Sequence, residues 1–175
     1  MSEEVKKPDF YELLRNSPVA VQVILRGLQS ISDKVSDGAD VNIVRDFDSV
    51  FLSTKKSELY VYYVMERGET ASLTAVYKKR ISDKEITLKR GKIELPRHLA
   101  GQLFEAVKEV ADAMELGNVT IERIAEAFAD VLERVNRFLS EQHGKPSEAG
   151  GSGSQAGDGE DDASGDEAET TGRRG

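Results

Sequence analysis

The chain has 175 residues, of which 38% are hydrophobic, with no cysteine, two histidines and a formal net charge of -8 at pH 7. These side chains suffice for one ordinary core, but no apolar run approaches the roughly 18 residues that a membrane-spanning helix needs, so no membrane partner is expected. The composition excludes disulfides and thiolate metal sites, and two histidines far apart in sequence argue against zinc; we expect neither a metal nor another cofactor.

The first residues, MSEEVKKPDF, lack the apolar centre of a signal peptide, so the expected location is the cytoplasm. The absence of cysteine and tryptophan, together with 32% charged residues, suits an intracellular protein from a hot environment.

Two helices are predicted at the start of the chain. A short one covers residues 9–15, and Ser17 with Pro18 then fits an N-cap followed by the first residue of a second helix over 18–32. Apolar residues recur in this second helix at steps of three and four, which is typical of an amphipathic helix that faces a core. They are Val21, Ile24, Leu25, Leu28 and Ile31.

From about Val41 the hydrophobic period drops to two, and short turns separate the apolar runs. Four strands are predicted, at Ser49–Thr54, Glu58–Glu66, Thr70–Arg80 and Lys84–Arg90, with Lys92–Leu95 as an extension or a bulge. Because parallel neighbours would need long crossovers, these connections predict a four-stranded antiparallel meander, backed by helices in an α+β fold.

Alternation along the predicted strands separates two faces of the sheet. In the second strand, Tyr60 and Tyr62 share one face, and Leu59 and Val61 belong to the other, core-facing set. In the third strand the more polar set pairs with the Tyr60 face. This polar set is Ser72, Thr74, Val76 and Lys78.

Pro96 opens a helix that ends near Gly117 and whose apolar stripe is expected to cover one face of the sheet. Thr120 then fits the N-cap of a final helix. Apolar residues in that helix follow the step of a heptad seam. The seam consists of Ile121, Ile124, Phe128, Val131, Leu132, Val135, Phe138 and Leu139.

Two interpretations of the seam remain open: the helix lies across its own domain, or it forms the interface of a homodimer, which we favour. We therefore expect a domain at 1–117, a dimerisation helix at 118–142 and a tail at 143–175. The tail has almost no large apolar residue and is expected to be disordered. From Pro146 onward it holds eight acidic residues and two arginines, which leaves the rest of the chain near -2.

Catalytic patterns are missing from the sequence. It contains no phosphate-binding glycine loop, no GxSxG turn and no paired histidines, while His98 and His143 are expected to be exposed. Asp46 and Asp48 share a strand face, and residues in this pattern are more often edge or turn residues than a metal or general-base pair. The protein is accordingly predicted not to be an enzyme.

Binding residues are better represented, because residues 45–97 hold twelve Lys or Arg against eight Asp or Glu in an otherwise acidic chain. The basic residues cluster at strand ends and turns, near aromatic strands. They are Lys55, Lys56, Lys78, Lys79, Arg80, Lys89 and Arg90. Aromatic rings can stack on unpaired bases while lysine and arginine contact phosphates, so this surface is a candidate for single-stranded nucleic acid.

The order of these segments resembles the ThermoDBP family of archaeal single-stranded DNA-binding proteins, which lack an OB fold. The segments are FYELLRNSPVAVQVILRGLQ, SELYVYYVMERG, LTAVYKKR, TIERIAEAFADVLERVNRFL and the acidic tail. The resemblance implies an aromatic cleft flanked by basic residues. The aromatic positions that could match it are Phe47, Phe51, Tyr60, Tyr62 and Tyr77.

The resulting expectation is a homodimer, associated with the nucleoid, that binds single-stranded DNA with little sequence preference during replication and repair. RNA remains open as a second ligand, and the acidic tail is expected to contact replication or repair proteins or to compete with DNA. The alternative is a protein-interaction adaptor whose sheet binds a partner chain and no nucleic acid.

Overall fold

The computed structural model describes residues 8–117 and 119–143. The elements in chain order are α1 (Phe10–Arg15), α2 (Val19–Ser36), β1 (Asn42–Arg45), β2 (Ser49–Ser53), β3 (Ser57–Met65), β4 (Thr70–Ser82), β5 (Glu85–Pro96), α3 (Arg97–Glu115) and α4 (Ile121–His143). The described residues divide into two units between Val135 and Asn136. No helix in the described part is long and apolar enough to cross a membrane.

The predicted α+β class and antiparallel sheet are confirmed. The sheet has five strands in the order β1-β2-β3-β4-β5, each antiparallel to its neighbour, rather than the four that were expected. The additional strand is β1, which has only four residues and therefore shows too little alternation to be recognised in the sequence. Its pairing with β2 places Val44 opposite Phe51.

One face of the sheet forms the core with α2 and α3, both of which contact β3, β4 and β5. Leu59 and Val61 of β3 and Leu73 and Ala75 of β4 are fully buried on this face, as the alternation predicted. Burying such apolar side chains is the main driving force for folding, so the sheet is fixed to the helices by this face alone.

Two glycines let α2 lie close to the strands. A Cβ atom at Gly91 would be 2.7 Å from the Cα of Ala20, and one at Gly27 would be 2.8 Å from a methyl group of Leu59. Real Cβ atoms do not come so near to backbone, so Gly91 marks the point where α2 crosses β5. β5 continues through Gly91 to Pro96. Lys92–Leu95 therefore extends the strand, which is one of the two predicted alternatives.

Side-chain hydrogen bonds connect β1 to α3 and cap the start of α4. Arg45 of β1 donates hydrogen bonds to Asp112, at 2.9 Å, and to Glu115 of α3. The bond to Glu115 is the main reason that the pKa of Arg45 is raised above its ordinary value. At the start of α4, the Thr120 hydroxyl accepts from the amide of Arg123 at 3.2 Å, which confirms the predicted N-cap.

The first turns of α4 pack within their own chain. Ile124, Phe128 and Val135 are fully buried in a single protomer. Near the start of the helix, Ser32 of α2 donates to the carbonyl of Val119. As far as Val135, the structure therefore has the intramolecular arrangement, and these seam residues offer no free surface for a dimer. The same holds for Val131 and Leu132, whereas Ile121 is half-buried.

The described part of the second unit is the end of α4, residues 136–143. Phe138 and Leu139 are half-buried there. The predicted disordered tail lies outside the described residues, except for its first residue, His143.

Candidate nucleic-acid interface

Three of the five predicted aromatic residues, Phe51, Tyr60 and Tyr62, lie side by side on the second face of the sheet, opposite the face that α2 and α3 contact. Strand register places Tyr60 of β3 between Phe51 of β2 and Val76 of β4. The Phe51 and Tyr60 ring centroids are 6.1 Å apart with an edge-on geometry, and Tyr60 and Tyr62 are 5.1 Å apart. Tyr60 remains 38% exposed. We call this surface the open face.

The basic runs, which are far apart in sequence, converge at one end of the open face. The backbone amide of Arg80 donates to the carbonyl of Lys56 at 2.8 Å, so the β2–β3 turn lies beside the β4–β5 hairpin. Lys78 is opposite Glu58 on β3 and Leu88 on β5, and Arg90 is opposite Val76. The open-face cations in the register are Lys78, Arg80, Arg90 and Lys92.

A shallow cavity of about 300 Å³ lies between the aromatic residues and this basic end. Its lining is Phe51, Glu58, Tyr60, Val76 and Lys78. The apolar floor suits a flat, uncharged ring such as a nucleobase. Lys78 and Glu58 place one charge of each sign beside it, so an attached anionic group would lie toward Lys78.

Short side chains follow β4 on the same face. They are Ser72 and Thr74, which are 1% and 6% exposed. Tyr62 on β3 and Lys92 on β5 are the longer side chains on either side of Thr74.

The opposite end of the face is acidic. Glu66 accepts from Ser72 at 3.0 Å and lies 4.0 Å from Lys92, while Glu94 accepts from Thr70 at 2.8 Å. The open face is therefore polarised: Lys78, Arg80 and Arg90 outnumber Glu58 at one end, the rings lie in the middle, and Glu66 and Glu94 outnumber Lys92 at the other end. A polyanion is attracted to the first end and repelled from the last.

Two of the predicted aromatic residues do not belong to this surface. Tyr77 lies on the helix-packed face and is 6% exposed, because it shares the alternation of Leu73 and Ala75. Phe47 is 96% exposed in the β1–β2 turn at the acidic end of the sheet, with Asp46 and Asp48 on either side. Tyr77 is therefore corrected as a site residue, because its ring is buried. Phe47 remains a prediction, at a distance from the basic end.

The structure also shows which of the predicted basic residues lie near the open face. Lys55 and Lys56 are exposed in the β2–β3 turn, at the basic end. Lys79 and Lys89 follow the alternation of the helix-packed face but are exposed, because they lie beyond the helices on the rim. They can reach a ligand only around the edge of the sheet.

Sequence reasoning missed Val44 and did not include Val76, Thr74 and Lys92 among the site residues. Val44 depended on the unrecognised strand β1. Alternation had assigned Thr74 and Val76 to the Tyr60 face without naming them as site residues, whereas Lys92 follows only from the register of β4 and β5.

A larger hollow of about 410 Å³ lies between α3 and α4, away from the sheet. Glu105, Glu109 and Asp130 contribute to its lining, with His98 and Arg134 as the positive or titratable groups. Three carboxylates make it unsuitable for a phosphate backbone. In the described ranges, no group of three acidic or histidine side chains is placed to hold a metal ion.

Comparison with protein-family models, with curated proteins and with solved structures found no match to this chain. The chemistry of the open face is therefore the basis for assigning a function.

Proposed function

We propose that the protein binds single-stranded nucleic acid on the open face, with little sequence preference, and protects exposed DNA strands during replication and repair. The observation that carries the proposal is the ladder of Phe51, Tyr60 and Tyr62 beside the open-face cations. The fully buried side chains of β3 and β4 lie on the opposite face of the sheet, so core packing does not explain why these rings lie on the open face.

The mechanism is additive. Bases stack on the rings, and each phosphate that a cation neutralises releases condensed counterions, so affinity falls as salt rises. In duplex DNA the bases are inside the helix, so only the phosphate contacts can contribute to binding. Single strands should thus bind more tightly than a duplex of the same length.

The test is fluorescence anisotropy with a labelled DNA strand of about 20 nucleotides and with its duplex, titrated at several salt concentrations. The proposal requires tighter binding of the single strand and a linear fall of log affinity with log salt. Equal, weak binding of both forms at low salt would refute it. The same titration with RNA determines whether RNA is also a ligand.

Replacing Lys78 with alanine is expected to weaken single-strand binding and to reduce the slope of log affinity against log salt by about 0.7, the value for one lost phosphate contact. Lys78 lines the shallow cavity and is exposed. Lys34 on α2 provides the control, because Lys34→Ala removes the same charge from the helix layer. An unchanged slope in Lys78→Ala would show that this lysine contacts no phosphate.

Removing all residues after Lys145 is expected to leave the fold intact and to tighten DNA binding at low salt. The removed segment carries a net charge of -6, which competes with phosphates for the basic end of the face. Circular dichroism checks folding, and anisotropy at low and high salt measures the difference. Weaker or identical binding would contradict this competition but not the binding itself.

The adaptor alternative is favoured by apolar side chains at the borders of the open face. Val44, Ile86 and Leu88 are all about half exposed. A partner chain could cover them, and an adaptor would bind no oligonucleotide in the anisotropy experiment.

Further partners follow from the sequence. A contact between the tail and replication or repair proteins, and association with the nucleoid, belong to this proposal. The homodimer remains a prediction for the half-buried Phe138 and Leu139, because the preceding seam is filled within the chain.

A further inference from the structure

The outer part of the β4–β5 hairpin, residues 78–90, is a basic segment that also exposes large apolar side chains. Almost every residue in it is exposed, and it holds six Lys or Arg against two acidic residues, a net charge of +4. Ile81, Ile86 and Leu88 are each more than half exposed, and Ile81 lies at a β-bulge near the tip. We call this segment the hairpin arm.

The opposite end of the sheet is also apolar on its surface but carries the opposite charge. Phe47 in the β1–β2 turn is 96% exposed, and Val64 and Met65 at the end of β3 are 42% and 59% exposed. The two segments that contain them, 46–48 and 64–69, hold four acidic residues and one arginine, a net charge of -3. We call these two segments the acidic corner.

The exposed apolar residues are grouped rather than scattered. Of the eleven large apolar side chains that are exposed in the described residues, six belong to the hairpin arm or to the acidic corner. Single apolar residues on a surface are normal, whereas groups of them rimmed by charge are typical of interaction sites.

The arm and the corner of one chain lie too far apart to contact each other. Strand β4 runs from the acidic end to the arm over 13 residues, which is about 40 Å at the usual rise of a strand. The amide of Tyr63 donates to the carbonyl of Asp48 at 2.9 Å, which fixes the β1–β2 turn at the acidic end. Any contact between the two groups therefore joins two molecules.

A second copy of this chain is the partner that fits both groups. Its arm brings cations and apolar side chains to a corner that offers carboxylates and apolar side chains, so unlike charges meet while apolar surface is removed from water. The arm and the corner are different surfaces, so the contact is head to tail. Such a contact leaves a free arm at one end and a free corner at the other, and a row can grow.

We propose that copies bound to one nucleic-acid strand contact each other head to tail, hairpin arm against acidic corner, and therefore bind cooperatively. This inference rests on the proposed function. Lys78 and Arg90, at the base of the arm, remain on the open face for phosphates, while Ile81 lies near the tip. The arm also neutralises the corner, which reduces the repulsion between the acidic end and a strand that continues along the row.

The contact is expected to be weak in free solution. The arm has 13 residues and the corner nine, compared with about 20–30 residues on each side of a stable interface. A strand that holds two copies side by side raises their effective concentration to roughly the millimolar range. Cooperativity should therefore appear only on strands that have room for two copies.

The experiment compares two lengths of oligo(dT) by anisotropy, with analytical ultracentrifugation to count the bound copies. The short strand is the shortest that binds one copy with full affinity, and the long strand takes two. The variants are Phe47→Ser in the corner and Ile81→Ser in the arm. Val19→Ser is the matched control, because Val19 is 64% exposed but lies on α2 in the helix layer. Thermal melting confirms that all three fold.

On the long strand, we expect the second wild-type copy to bind at least about fivefold more tightly than the first, the lower end of the usual coupling between two ligands. Phe47→Ser and Ile81→Ser should each lose this gain and bind the short strand as the wild type does, and Val19→Ser should keep the gain. An equimolar mixture of Phe47→Ser and Ile81→Ser should recover part of it, because the intact arm of the first can contact the intact corner of the second.

Four outcomes would overturn the head-to-tail contact. If the second wild-type copy binds no more tightly than the first, the copies do not interact, while single-strand binding stands. If Phe47→Ser weakens binding to both strands equally, Phe47 contacts the nucleic acid instead. If the mixture recovers no gain, the contact does not join an arm to a corner. If the wild-type chain binds neither strand, the proposed function fails together with this inference.

Discussion

Replacing Tyr60 with alanine is expected to weaken single-strand binding by about 5- to 150-fold, which corresponds to the roughly 1–3 kcal/mol that stacking of one base contributes. Tyr60 is the central ring of the open face, 6.1 Å from Phe51 and 5.1 Å from Tyr62 between centroids. It also lines the shallow cavity next to Lys78. Its removal takes away a platform that no neighbouring side chain can replace.

The control for this experiment is Tyr11→Ala. Tyr11 is another exposed tyrosine, but it lies on α1 and its hydroxyl accepts a hydrogen bond from Gln29 of α2. Anisotropy at constant salt measures both variants, and salt dependence should be unaltered because no cation is removed. If Tyr60→Ala binds as tightly as Tyr11→Ala, the open face does not stack on bases.

Replacing Phe128 with alanine is expected to lower the free energy of unfolding by about 3–5 kcal/mol, the usual cost of deleting a buried phenylalanine side chain. Phe128 is fully buried among the largest core side chains, although it belongs to a helix with a heptad pattern. Urea denaturation measures the loss. Where the alanine variant is too unstable to fold, Phe128→Leu provides a milder test of the same site.

Repeating the measurement at several protein concentrations separates the two interpretations of the seam. If Phe128 is buried within one chain, the loss of stability in Phe128→Ala should be the same at every protein concentration, even where a homodimer forms through Phe138 and Leu139. Phe138→Ala is the comparison, and it should cost much less because Phe138 is only half-buried. If the melting temperature of the wild type rises with concentration and the Phe128 variant is monomeric, Phe128 belongs to a dimer interface.

The two predictions concern opposite sides of one sheet. Substitutions on the helix-packed face and in α4 should reduce stability, whereas those on the open face should reduce binding and leave folding nearly unchanged. The separation arises because adjacent residues in a strand point to opposite faces. Tyr60 and Val61 are neighbours in sequence, yet one is available to a ligand and the other is fully buried.

Much of the fold was encoded locally and could be predicted. The alternation in β3 and β4 assigned Tyr60, Leu59 and Thr74 to the correct faces, and short turns required antiparallel pairing. The helix N-cap at Thr120 was likewise a local signal. Strand β1 was not predicted, because four residues are too few to show a clear alternation of apolar and polar side chains.

The sequence by itself determined the class of fold, the two faces of the central strands and the local excess of positive charge. Only the tertiary structure decided which charges meet: it joined Lys56 to Arg80, separated Phe47 from the basic end and buried Tyr77. It also packed the seam of α4 into its own domain. The physical reason is that periodicity records which side of an element is apolar, whereas the partner that covers that side is chosen by long-range packing.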